Sequence, residues 1–172
     1  MKNITLANNI NIYKTYNKNH KKILKDLKEF CKINNWTEKD FHTPMCLFNP
    51  YKNKDNVVKS LYQDTINEFL NFKKITKKFI INDFWINVIV KNVSYGIHDH
   101  SDYDFSLVHY LKFNTKDHTG TTFYQDEKKN NPCDVEVECS DVVIFEGKIN
   151  HEALAHNSEN MRITSVINFN LI

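Results

Sequence analysis

Apolar positions recur at helical spacing in the first part of the chain and at strand spacing in the rest. Ile23, Leu24, Leu27, Phe30 and Cys31 predict an amphipathic helix over roughly His20 to Ile33, ended by Asn34-Asn35. Val57, Val58, Leu61, Ile66, Phe69 and Leu70 predict a second helix, with Asp55 or Asn56 as its cap. Before the helices, Asn3 to Tyr13 alternates around Ile4, Leu6, Ile10 and Ile12, the pattern of an opening strand. Trp36 to Asn53 carries Pro44 and Pro50 and reads as irregular.

After Lys78 the period changes. Phe79 to Val90 is rich in Ile, Val, Phe and Trp and predicts one or two strands. Further strands are expected at Phe105–Phe113, Thr121–Gln125, Asp134–Cys139, Val142–Phe145 and Ile163–Leu171, with a turn-rich connection at Asn114–Gly120. Two helices followed by six or more strands predict a mainly β fold, a sandwich or barrel with N-terminal helices packed outside. No repeat or boundary interrupts it. One domain over 1–172 is expected, with supporting helices and the first strand in 1–78 and the β core in 79–172.

Composition narrows the classes. At 172 residues, a chain hides roughly 70% of its unfolded surface, enough for a real core. The net charge of +2 is too small to imply nucleic acid, and the cluster Lys73, Lys74, Lys77, Lys78 reads as a solvated helix end. Cys31, Cys46, Cys133 and Cys139 lack Cys-x-x-Cys spacing, so reduced thiols in a cytoplasmic setting are expected. No apolar run approaches the roughly 20 residues of a membrane span. The abundance of Asn and Lys reads as the compositional bias of a low-GC or viral source.

The residues that carry chemistry lie in the second half. His98 and His100 are two apart, so on an extended segment both face one side. His151 follows an apolar strand and a turn at Gly147. Neutral imidazoles are good ligands for Fe, Zn, Cu and Ni, and three ligands on one face leave positions open for substrate. Arg162 begins the last strand. A buried arginine needs an anion, and its planar fork fits a carboxylate. Thr164 shares its face, and Tyr110 offers a phenol from another strand. Singly, each of these residues is more often a satisfied polar group; the combination is what points to a site.

In these residues the chain resembles the Fe(II)/2-oxoglutarate-dependent oxygenases, closest to the prolyl-hydroxylase-like branch common in phage and bacterial genomes. The matching stretches are Trp85-Ile86-Asn87, His98-Asp99-His100, Ser106-Leu107-Val108-His109-Tyr110-Leu111, Val143-Ile144-Phe145 leading to His151, and Arg162-Ile163-Thr164. They cover roughly Phe84 to the C-terminus, about half of the chain. The resemblance implies a double-stranded β-helix (a cupin-like jelly roll), with His98, His100 and His151 as metal ligands. It implies Arg162 and Tyr110 on the distal carboxylate of 2-oxoglutarate, helped by Thr164, with Asn87 towards its other end. The implied reaction hydroxylates an unactivated C–H bond with release of succinate and CO2. A protein side chain such as proline is the first substrate expectation, beside a small molecule, and neither a nucleic-acid partner nor a membrane is expected.

The chain departs from the family at His100, where an Asp is usual; Asp102 is the alternative carboxylate. His109 replaces an aromatic and is assigned to packing. His156 lacks the eleven-residue gap to Arg162 that His151 has. Nucleic-acid demethylating relatives carry a second Arg six residues after the first, where this chain has Asn168. Asp126–Asp134 is a candidate lid. Two rivals stand beside this reading. A cupin would use a histidine set without 2-oxoglutarate, with Asp104 at the spacing of its usual Glu. A jelly-roll structural module would bind no metal.

Overall fold

The computed structural model describes residues 1–6, 9–35, 46–125 and 131–172. In chain order the elements are β1 (Lys2–Thr5), β2 (Asn11–Tyr16), α1 (His20–Ile33), β3 (Cys46–Phe48), α2 (Asp55–Phe72), β4 (Phe79–Ile89), β5 (Tyr95–His98), β6 (Phe105–Lys112), β7 (Thr121–Phe123), β8 (Cys133–Asp134), β9 (Asp141–Glu146), β10 (His151–Ala153) and β11 (Arg162–Leu171). They form a seven-stranded sheet in the order β1-β2-β9-β6-β11-β4-β3 and a four-stranded sheet in the order β5-β10-β7-β8. Every pairing among the described residues is antiparallel. Two facing antiparallel sheets with helices outside the larger one make the predicted jelly roll.

The period-2 alternation of the strands builds two cores. Phe84, Ile86, Val88, Leu107, Leu111, Val142, Ile144 and Ile167 face the helices and meet Ile23, Leu27, Leu61, Ile66 and Phe69. The intervening residues Val108, Tyr110, Val143, Phe145 and Val166 face the smaller sheet and meet Phe123, Val135 and Val137. Because both faces of the large sheet are covered, β6 and β9 read as nearly unbroken apolar runs rather than alternating ones.

Several expectations change. The opening strand is a hairpin, β1 paired with β2, and Asn9 near the turn has positive φ. Residues 36–45 lie outside the described residues, but within the stretch expected to be irregular Cys46–Phe48 pairs with β4. Neither Asp55 nor Asn56 caps α2: Lys54 holds that position, and Asp55 sits in the first turn, where its charge meets the helix dipole. The expected strand Asp134–Cys139 reduces to Cys133–Asp134; beyond it the chain still buries Val135 and Val137 in alternation, without a ladder. Of the candidate lid, 126–130 fall outside the described residues, and β8 at its end is paired with β7. Among the described residues, no helix is long and apolar enough to cross a membrane.

One glycine ties the fold to the chemistry. The Gly147 amide donates to Asp104, and its carbonyl accepts from the His100 amide at 2.7 Å. A Cβ at Gly147 would collide with the carbonyl oxygens of Tyr103 and His100, whereas one at Gly96 meets nothing within 4 Å. Gly147→Ala is therefore expected to cost about 1–3 kcal/mol through overpacking, and Gly96→Ala no more than about 0.5 kcal/mol. Urea unfolding of the two variants checks the contrast.

Candidate metal centre

Three short elements carry the histidines. His98 ends β5, His100 lies in the turn after it, and His151 opens β10. His151 is the direct cross-strand partner of both His98 and Phe123, so an inner strand of the smaller sheet sets its ring beside that of His98. The three residues each offer a ligand nitrogen, and these nitrogens lie within 4.8 Å of one another. No other such group occurs among the described residues. Asp102, the alternative ligand, is exposed and lies outside the group. His156 is elsewhere, its Nε2 3.1 Å from the Ile89 carbonyl and its ring against His118.

The hydrogen bonds leave the ligand atoms open. His98 Nδ1 lies 2.8 Å from the Gly96 carbonyl, and His151 Nδ1 lies 2.9 Å from that of Ile149. Each ring therefore donates Nδ1–H to the backbone two residues back and keeps its Nε2 lone pair free. His100 Nε2 is buried with no partner. An orphaned imidazole nitrogen beside two free ones fits a metal ion. Burial disfavours the charged forms: it lowers the His98 pKa, and with the neighbouring His98 pulls His100 down to about 4 and His151 down to about 3. All three rings are thus neutral near pH 7, the state a ligand requires.

The wall opposite is the inner face of β4, β6 and β11. Thr164 pairs with both Asn87 and Tyr110, which sets Asn87, Thr164 and Tyr110 in one row across three strands. Trp85, Val166 and Val108 form the next row. Arg162 faces the same cavity and is 2% exposed. Its Nη1 donates to the Thr119 carbonyl at 2.6 Å and its Nη2 to the Leu154 carbonyl at 2.9 Å. No carboxylate among the described residues pairs with it, and burial lowers its pKa. Tyr110 hydroxyl accepts from the Thr121 amide at 3.0 Å and sits 2.7 Å from Thr121 Oγ1. Trp85 Nε1 and Asn87 Oδ1 are buried without partners among the described residues. All seven expected site residues, His98, His100, His151, Arg162, Tyr110, Thr164 and Asn87, line this one cavity. Its volume is narrow, about 30 Å³.

Sequence reasoning missed three residues. His109 faces the helices, 3.0 Å from His20 Nδ1 through its Nε2 and 3.0 Å from the Tyr62 hydroxyl through its Nδ1, and Tyr62 continues to Ser165 Oγ. It is a hydrogen-bonded hub rather than simple packing; its odd-numbered place on an alternating strand was the available signal. Glu152, buried beside His151, accepts from the Tyr124 hydroxyl. Asn168, noted only for not being arginine, lies against His100.

No family model matches the chain, and no curated protein matches it by sequence. Solved structures do. A 2OG-Fe(II) oxygenase-family oxidoreductase from Burkholderia pseudomallei superposes with a TM-score of 0.58 at 16% identity over 72% of this chain, which spans 57% of that protein. A viral collagen prolyl hydroxylase from Paramecium bursaria Chlorella virus-1, in complex with 2OG, gives 0.56 at 17% identity, covering 94% of this chain and 96% of that one. HygX from Streptomyces hygroscopicus, with nickel and 2-oxoglutarate bound, gives 0.66 at 10% identity, covering 92% and 82%. At these identities the likeness establishes the fold.

Burial also depresses the His109 pKa to about 3. A base held below its unfolded value of about 6.5 takes up its proton first in the unfolded chain, so the stability it contributes is whole above pH 6.5 and falls as pH drops towards 3. Between pH 6.5 and 5 the loss from this one group is about 2 kcal/mol. Urea unfolding should find that His109→Gln loses less stability over this interval than the wild type, by about that amount. Equal losses in both proteins would remove His109 from the acid response.

Proposed function

We propose that this chain is an Fe(II)- and 2-oxoglutarate-dependent dioxygenase that hydroxylates an unactivated C–H bond. The observation that carries the proposal is one cavity with three neutral imidazoles at one side and a buried guanidinium, lacking a carboxylate partner, on the opposite wall. His98, His100 and His151 would hold the iron, and Arg162 would take the distal carboxylate of 2-oxoglutarate. Tyr110 and Thr164 stand in the row beside Arg162, and Asn87 offers an unpartnered oxygen. Bound iron with 2-oxoglutarate and O2 supplies the oxidising power, releasing succinate and CO2.

The protein's part is positional. Two ligand rings are fixed by the Gly96 and Ile149 carbonyls, so they present Nε2 without reorganising. Arg162, braced by Thr119 and Leu154, fixes the orientation of an incoming dicarboxylate. Phe123 and Phe145 pack against the His151 ring and Val108 lines the cavity, apolar surroundings that would limit water at the reacting centre. The likeness to a viral collagen prolyl hydroxylase makes a prolyl side chain the first substrate to try.

Anaerobic titration of metal-free protein with Fe(II) and 2-oxoglutarate tests the reading. The expected result is a weak visible charge-transfer band saturating at about one equivalent, with succinate formed on admitting air. Arg162→Ala should keep the iron and lose 2-oxoglutarate affinity by about 100-fold, the scale of a charge-assisted bidentate pair. Iron without a 2-oxoglutarate-dependent band would favour the cupin reading, and no iron binding would favour the structural module.

A further inference from the structure

The three histidines do not obtain their ligand geometry in the same way. A neutral imidazole has one lone pair, so a ring that binds through Nε2 must carry its proton on Nδ1. For His98 and His151 a main-chain carbonyl enforces this. Among the described residues, no carbonyl does this for His100. Its Nδ1 faces the side-chain amide of Asn168 at 3.4 Å, and its Nε2 faces the other two rings unpartnered. Asn168 is 1% exposed, pairs in register with Ser106, and its Oδ1 accepts from Ser106 Oγ at 2.6 Å.

The two ends of a carboxamide have the same shape, but they impose opposite tautomers. With its nitrogen towards His100, the amide makes Nδ1 an acceptor and leaves the proton on Nε2, aimed at the other ligands. With its oxygen towards His100, Nδ1–H donates to Oδ1, the amide nitrogen donates to Ser106 Oγ, and Nε2 is free. Both arrangements use the same heavy-atom positions. Only the second allows three ligands.

We propose that Asn168, held by Ser106, is the positioning residue that makes His100 a metal ligand, by presenting its oxygen to Nδ1–H. The inference rests on the metal-site reading above. It also gives a role to the position where the sequence has Asn168 rather than a second arginine: a side chain that can accept a hydrogen bond is needed beside His100, and a guanidinium can only donate.

Two measurements test it. Long-range proton–nitrogen NMR of the metal-free protein reads the His100 tautomer directly and needs no variant. An Nδ1–H ring supports the proposal, and an Nε2–H ring overturns it. Anaerobic calorimetric titration with Fe(II) then compares variants. Asn168→Asp keeps an acceptor for both His100 and Ser106 and should bind within about threefold of wild type, whereas Asn168→Leu should lose about 10- to 100-fold, as loss of a ligand's hydrogen-bond partner does. Equal affinity of a folded Asn168→Leu and the wild type overturns the proposal. If the wild type binds no Fe(II), the metal-site reading fails, while the tautomer result still decides what Asn168 does.

Discussion

Everything at the site depends on the register of β11. This strand lies between β4 and β6, pairs along its length with both, and carries alternate residues to opposite layers. Arg162, Thr164, Val166 and Asn168 turn towards the cavity and the smaller sheet. Ile163, Ser165 and Ile167 turn towards the helices. A slip of one residue would bury Ile163, Ser165 and Ile167 in the cavity and drive a guanidinium into the apolar layer under α1 and α2. The hydrophobic pattern that makes the strand fold therefore also orders the chemistry along it. The buried guanidinium of Arg162 stands at one end, and the Asn168 amide against His100 stands six residues further on.

The reverse face of the same strand is tied down by a polar chain. Ser165, Tyr62, His109 and His20 link β11, α2, β6 and α1 through successive hydrogen bonds inside the helix-facing core. Each buried polar atom in that chain has a partner, so the burial cost is offset, and the directional bonds fix how the helices sit on the sheet. The contrast with the cavity is informative. There, Trp85 Nε1, Asn87 Oδ1 and His100 Nε2 are buried and unpartnered. A fold that satisfies its polar groups on one face of a sheet and leaves them open on the other has room for a ligand on the second face.

Much of this was legible in the sequence, and what was missed has physical causes. The longer strands of the large sheet, β4, β6, β9 and β11, were readable because six to eleven residues are enough to show a sustained run of β-branched, aromatic and other apolar side chains. β5 and β10 have four and three residues, too few to show a period, yet they carry His98 and His151. The residues that meet in the cavity were singled out through side-chain chemistry instead: His-x-His spacing, an apolar strand before a histidine, and an arginine opening the last strand. β3 was missed for the same reason of length, since its three residues pair only with the edge of β4. His109 and Asn168 were underread because their partners, His20, Tyr62, Ser106 and His100, are distant in sequence. Composition and spacing do not carry such contacts.

The rivals differ in what they ask of buried charge. A cupin-like fourth ligand at Asp104 is compromised, because that carboxylate accepts the Leu171 amide at 2.8 Å and anchors the end of β11. A purely structural jelly roll gains nothing from turning a guanidinium without a carboxylate partner, and three uncharged imidazoles, into one cavity. On the proposed reading the arrangement has a use. Three neutral ligands leave a divalent ion with its full charge, and Arg162 adds another on the facing wall. A dianion bridging the two would lower the cost of both, so ion and co-substrate should each strengthen the binding of the other by the same factor. A carboxylate at position 100 would already neutralise part of the ion's charge and weaken that coupling. On that reading, His100 in place of an acid would shift charge compensation from the protein to the co-substrate.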